Sequence, residues 1–173
     1  KMISDLSTFF RLSLSDGETI IPLTDELEHV KSYLSIQKVR YSDILDYKLK
    51  ISLNTDEILI PKMTLQPIVE NAIYHGLKNK RKSGNIYISG YVEDSKVILS
   101  VIDDGVGMND SIRKNVLDIM KSVEKSKSSN GFGLRNVYQR LILYFGSSTQ
   151  MDIYSVEDQG TIVQITIFAN VVS

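Results

Sequence analysis

Three short polar and glycine-rich words hold the residues of this chain whose types and spacing could do chemistry. The first is Pro67-Ile68-Val69-Glu70-Asn71-Ala72-Ile73-Tyr74-His75-Gly76, the second Asp103-Asp104-Gly105-Val106-Gly107-Met108, and the third Gly131-Phe132-Gly133-Leu134-Arg135-Asn136. The carboxamide oxygen of Asn71 and the carboxylate of Glu70 are hard oxygen donors suited to magnesium. The Asp103 carboxylate can accept from the exocyclic amine of a flat base. Gly131 and Gly133 let bare backbone N–H groups approach phosphate oxygens where a helix begins. Each word alone has a plainer reading. Asn and His on a helix are usually satisfied core or cap groups, Asp-Asp-Gly is usually a turn, and Gly-Phe-Gly-Leu without a Lys-Ser/Thr tail is no P-loop. Their order, on a helix, at a strand end and at a helix start, points to one pocket for a nucleotide and a metal.

At helical spacing Asn71, Tyr74, His75 and Lys78 fall on one face, while Leu65, Ile68, Val69, Ala72, Ile73 and Leu77 take the other. That arrangement predicts a polar face turned to the pocket, with Asn71 as the magnesium ligand and His75 and Lys78 beside the nucleotide. One or two protein oxygens suffice for a cation that keeps most of its waters. Glu70, about 100° around the helix, is placed to orient a water or an incoming acceptor. Asp103 ends the apolar run Val97–Ile102, where a half-buried carboxylate would favour adenine, which offers an amine, over guanine, which offers a carbonyl. Gly105 and Gly107 leave room for base and ribose, and Thr161, after Gly160, supplies a second polar group beside Asp103. The stretch 121–130, rich in Ser and Lys, reads as a lid, with Lys125 or Lys127 as extra cations.

These groups need elements to hold them. Apolar spacing predicts a helix over residues 2–14 and a second from Thr24, as its N-cap, to about Tyr41, with a Leu27, Val30, Leu34 seam. The pair reads as a helical hairpin that packs against more helix. Alternation predicts strands at 47–53, 85–93, 96–102, 151–156 and 161–168, with turns at Asp94-Ser95 and Glu157–Gly160. Helices are expected from a Thr64 cap through Leu77, from 110 to 123, and from Leu134 to Phe145, stopping at Gly146. This order predicts an α+β fold: a two-layer sandwich with a mixed, mostly antiparallel sheet covered by helices on one face, preceded by the helical hairpin. Residues 1–45 then form the hairpin segment and 46–173 the nucleotide-binding domain.

Composition narrows the classes. With 173 residues, 42% of them apolar, the chain holds one main core. A net charge of −1 with scattered charges argues against nucleic acid as a partner. The absence of cysteine removes disulfides and thiolate metal sites, and two histidines are too few for a His-rich zinc site. No apolar run approaches the roughly 20 residues that span a bilayer, so this stretch is expected to be soluble.

Glu70-Asn71, Asp103-x-Gly105-x-Gly107, Gly131-x-Gly133-Leu134 and Gly160-Thr161 resemble the N, G1, G2 and final boxes of the ATP-binding fold shared by sensor histidine kinases and by topoisomerase, chaperone and mismatch-repair ATPases. The phrases Leu23–Glu28 and Tyr33–Tyr41, the Glu-Asn-Ala-Ile-Tyr-His-Gly word and Gly133–Leu141 are similar to the LytS/YesM type of bacterial two-component histidine kinase. The resemblance implies ATP and Mg2+, phosphotransfer to a histidine on a dimerising helical hairpin, and onward transfer to a response regulator. It also implies a cytoplasmic domain of a cell-membrane protein whose sensor lies upstream, so that membrane contact comes through upstream segments alone. In that family the acceptor stands in a Pro-His-Phe word, which these residues lack; neither His29 nor His75 has that context. The chain is therefore expected to be the end of the acceptor hairpin plus the catalytic domain, and inactive alone. Tyr74 stands where the family often carries a basic residue. The alternatives are a clamp-type ATPase of the same superfamily, in which a water-activating glutamate stands four residues before the metal asparagine, or a nucleotide-dependent interaction module. Here that glutamate's position is Pro67.

Overall fold

The computed structural model describes residues 2–14, 18–80, 82–122 and 132–168. Helix α1, Met2–Leu14, is followed by the short strand β1, Ile20–Pro22, and by helix α2, Leu23–Arg40. Strands β2, Leu45–Ser52, and β3, Leu59–Pro61, lead into helix α3, Gln66–Asn71, which continues as a π-helical turn over Ala72–Leu77. Strands β4, Gly84–Glu93, and β5, Lys96–Asp103, form a hairpin; helices α4, Asp110–Lys121, and α5, Phe132–Phe145, follow; β6, Gln150–Val156, and β7, Gly160–Phe168, close the fold.

The main sheet has the order β2-β4-β5-β7-β6, parallel between β2 and β4 and antiparallel elsewhere. The expected α+β sandwich with a mixed sheet is what forms. Period-two alternation sends Ile86, Ile88, Leu99, Val101, Val163 and Ile165 inward, where they join Ile68, Val69, Ile73, Leu134, Val137 and Leu141 of the helices in one core. Each such fully buried aliphatic side chain stabilises the fold by about 1.5–3 kcal/mol. Tyr87, Tyr91 and Tyr154, on alternate positions, are exposed. The Asp94-Ser95 turn carries positive φ at both residues, 48° and 60°, the geometry that matches strand twist in a two-residue hairpin.

Three local expectations are corrected, and one pair of strands is added. The Leu27, Val30 and Leu34 seam, expected to pack against more helix, is buried in the main core with Ile60, Leu65 and Ile68. β1 and β3, each three residues long, pair antiparallel as a separate two-stranded sheet that alternation cannot reveal at that length. Thr24 is not the N-cap of α2, because the helix starts at Leu23 behind Pro22 and the Thr24 hydroxyl bonds Thr55 at 2.6 Å and Asp56 instead. Thr64 does not cap α3 either: its hydroxyl donates to the Pro61 carbonyl, and the helix begins at Gln66 with Pro67 in its first turn. The Phe9 ring of α1 stacks on the His29 imidazole of α2 with centroids 4.7 Å apart.

Candidate functional site

A cavity of about 290 Å³ opens between the sheet and the helices α3, α4 and α5. Its floor comes from β5 and β7, where Val101 pairs with Val163 and Asp103 with Thr161 across the antiparallel ladder. Asn71, Ala72, His75 and Gly76 form one wall, and Met108, Ile112, Val116 and Leu134 face them. The result is an apolar slot with a carboxylate at its base and an amide and an imidazole on one side.

Asp103 is 6% exposed. Its Oδ1 accepts from the Gly105 N–H at 2.9 Å. Burial pushes its carboxyl up to about 6; the Gly105 and Thr161 N–H groups and Lys80 pull the other way, while the neighbouring Asp104 charge adds to the rise. The adjacent aspartate has a different task. Asp104 accepts from Lys80 Nζ at 2.9 Å, from the Asn85 N–H at 2.8 Å and from Asn85 Nδ2 at 2.9 Å, tying the end of β5 to the start of β4. Burial raises its carboxyl, but the Asn85 and Lys80 donors outweigh that and hold it below the usual range.

Glycine is required at the points where backbone closes on this carboxylate. A β-carbon on Gly76 would stand 2.5 Å from Asp103 Oδ1, and one on Gly105 would stand 2.5 Å from the Gly76 carbonyl carbon. Gly107 has φ 61°, and a β-carbon there would run into the Val156 carbonyl. Ser155 Oγ accepts from the Met108 N–H at 2.8 Å and lies 2.9 Å from the Thr161 hydroxyl, so it fastens the segment after Asp103 to the β6–β7 hairpin.

The profile of the family described as "Histidine kinase-, DNA gyrase B-, and HSP90-like ATPase" matches residues 60–170. The chain belongs to that family. A second family, "Histidine kinase", matches residues 1–45. The Sensor protein LytS of Oceanobacillus iheyensis is 33% identical over 164 residues, 94% of this chain and 28% of the relative. The Sensor histidine kinase YesM of Bacillus subtilis is 32% identical over 167 residues, 96% of this chain and 27% of the relative. The chain thus spans little more than a quarter of the length of these relatives. Among solved structures, the Acinetobacter baumannii histidine kinase AdeS superposes with a TM-score of 0.61 at 18% identity, covering 97% of this chain and 77% of that one. The catalytic domain of histidine kinase ThkA gives 0.61 at 18% identity over 87% of this chain and 95% of that one. These two likenesses establish the fold.

Within this ATPase-family fold the residues singled out in the sequence do not all meet. Asn71, His75, Asp103, Gly107, Leu134 and Thr161 line the cavity. Gly105 lies directly beneath it, against Gly76 and Asp103. Gly133 sits in the first turn of α5, which starts at Phe132 rather than Leu134, and faces Pro67 instead of the cavity. Gly131 and residues 123–130 of the expected lid, Lys125 and Lys127 among them, lie outside the described residues, and Lys121, the first residue of that stretch, is instead the last of α4.

The expected common face of Asn71, Tyr74, His75 and Lys78 is corrected. The Lys78 N–H bonds the Ile73 carbonyl five residues back, so the helix widens to a π turn and its angular phase changes. Asn71 and His75 stay on the cavity, whereas Lys78 Nζ lies 5.8 Å over the Tyr41 ring and 5.2 Å over Tyr74. Glu70 accepts from Gln66 Nε2 at 2.9 Å and lies beside Tyr33 of α2, outside the cavity lining. Gly76 and Ser155 were missed as site residues. A glycine interrupting a helical pattern is a legible sign of close backbone approach, but a serine mid-strand carries none.

Proposed function

We propose that the cavity binds ATP with Mg2+ and that the chain is the catalytic part of a sensor histidine kinase, transferring the γ-phosphoryl group to a histidine that lies upstream of these residues and from there to a response regulator. The observation that carries this reading is the buried Asp103 carboxylate at the base of an apolar slot, opposite two glycines that hold the backbone close to it. A flat base fits between Val101, Val163, Ile112 and Val116, and its amine can donate to Asp103; a guanine carbonyl there would face a carboxylate and be rejected. Asn71 and His75, on the wall above, fit the metal and phosphate end.

In this reading Asn71 supplies one oxygen to the magnesium, which neutralises phosphate charge; phosphate and water supply the other ligands. Leu134 brings the N-terminal end of α5 to the phosphates, with Gly133 just before it against Pro67. His75 donates from its imidazole, and Glu70, held by Gln66, faces an incoming acceptor. Thr161 supports Asp103 from the paired strand. Lys78, over Tyr41 and Tyr74, secures α2 against the π turn. Residues 1–45 are read as the remnant of the dimerising acceptor hairpin and 46–173 as the catalytic domain, with the whole protein a homodimer anchored in the membrane and this part cytoplasmic. Pro67 occupies the place of a water-activating base, which favours transfer over hydrolysis.

Calorimetry with ATP and GTP tests the pocket. ATP should bind and GTP bind far more weakly, and Asp103→Asn should weaken ATP by about 1–3 kcal/mol, the cost of an unmatched charged hydrogen bond. Equal affinities would remove Asp103 from base recognition. Radiolabelled ATP should yield little free phosphate with this chain alone and label an added polypeptide bearing the upstream acceptor helix. Rapid phosphate release, or acid-labile label on His29 or His75, would overturn the kinase reading.

A further inference from the structure

Helix α3 carries Asn71, yet its own N-cap residue, Leu65, has no side chain that can hold its first N–H groups. The cap comes from another helix. Glu26 of α2, with 0% of its surface exposed, accepts from the Met63 N–H at 2.9 Å through Oε2 and from the Leu65 N–H at 2.8 Å and the Gln66 N–H at 3.4 Å through Oε1. A carboxylate so deeply buried is tolerated because these donors, at the positive end of a helix, replace its water. Met63 sits at φ 61°, a conformation that a side-chain-bearing residue keeps only when its surroundings impose it.

The opposite polar groups of the same short loop are taken by α5. Arg140 Nη1 donates to the Lys62 carbonyl at 2.5 Å and Nη2 to the Met63 carbonyl at 2.6 Å. Residues 62–65 are thus gripped on their N–H side by an anion of α2 and on their C=O side by a cation of α5. α3 leaves this loop toward Ile68 and Asn71 in the cavity, and α5 begins two turns before Arg140 with Gly133 and Leu134. Three helices share one joint, and two of them end at the cavity.

We propose that Glu26 and Arg140 are positioning residues that transmit the placement of α2 to both the Asn71-bearing and the Leu134-bearing walls of the cavity. The proposal deepens the reading above and rests on it for its nucleotide readout. Through this joint, a shift of the N-terminal helical segment resets the metal ligand and the phosphate end together, with no contact between α2 and the nucleotide. The Tyr33, Tyr41 and Lys78 contacts at the π turn then serve as a second, weaker grip farther along α2.

Hydrogen exchange of the 173-residue chain tests the joint without nucleotide. Glu26→Gln and Arg140→Lys should each speed exchange about tenfold or more at residues 63–66 and carry the loss into 68–72 and 134–140, leaving β4 and β5 protected. Changes confined to 63–66, or a uniform loss across the chain, would overturn the proposal. In the same variants Mg·ATP, which uses both walls, should lose about tenfold in affinity, while metal-free ADP, which meets the phosphate end alone, loses about threefold, a split that a mere loss of stability would not produce. Arg140→Lys, which keeps the charge on a single donor nitrogen, should lose less than Arg140→Met. Parallel losses for both nucleotides would also overturn it. If the unsubstituted chain binds neither nucleotide, the ATP reading fails, and the exchange pattern alone decides the joint.

Discussion

The Gly76 backbone faces the Asp103 carboxylate so closely that a β-carbon on Gly76 would stand 2.5 Å from Oδ1. The contact joins the π turn to the end of β5, and it makes the second residue after Tyr74 as constrained as the aspartate itself. Gly76→Ala should push Asp103 off its Gly105 bond, weaken ATP about tenfold or more and cost about 1–3 kcal/mol of stability. Calorimetry and thermal melts check both; wild-type affinity would show that the carboxylate does not meet the base.

Asp103 also predicts a pH dependence. Burial pushes its carboxyl up to about 6, so the free protein holds a growing fraction of neutral acid as pH falls below that value. An amine donor binds the carboxylate better than the acid, so ATP affinity should rise with pH through about 6 and then level off. One unit below the pKa only about a tenth of the group is ionised, so the loss between pH 7 and 5 should approach about tenfold. Titrations with Asp103→Asn should lack this step.

Asn71→Ala should remove the magnesium-dependent part of ATP binding and leave metal-free ADP nearly unchanged, because the amide oxygen is proposed to touch only the metal. Binding isotherms with and without Mg2+ give the comparison. Unchanged metal dependence would move the ligand elsewhere on the wall.

His29 predicts acid sensitivity of the N-terminal helices. Burial first, and the Lys62 charge second, hold its imidazole down at about 4 from an ordinary 6.5, so the neutral ring stacked on Phe9 is the folded species. The stability it contributes is complete above about 6.5 and is lost as pH falls through about 4. Thermal melts across that range should show the decline for the wild type and a flatter profile for His29→Gln.

Much of the architecture was legible before any coordinates, because it depends on local periodicity and on residue types with one strong use. Alternation placed β4 and β5 to within a residue, Asp94-Ser95 marked their turn, and Asp103 with Gly107 marked the end of a strand beside a close approach. Glu26, by contrast, is in sequence one acid within the phrase Leu23–Glu28, and Arg140 one base within Gly133–Leu141. Their meeting at residues 62–65 spans 39 positions from Glu26 to Leu65 and 77 from Met63 to Arg140, and no local pattern encodes such separations. Lys78 shows the same limit: a 3.6-residue period puts it beside Asn71, and the π turn, packed on β4, β5 and β7, carries it to Tyr41. The strand end already marked Asp103 for the pocket, but only the pairing of β5 with β4 decides that the adjacent Asp104 braces the sheet through Asn85 and Lys80. The sequence by itself determined which chemical groups the protein possesses and the strands and helices that carry them. Tertiary packing decided which of those groups meet, because burial, helix phase and register are properties of the whole core.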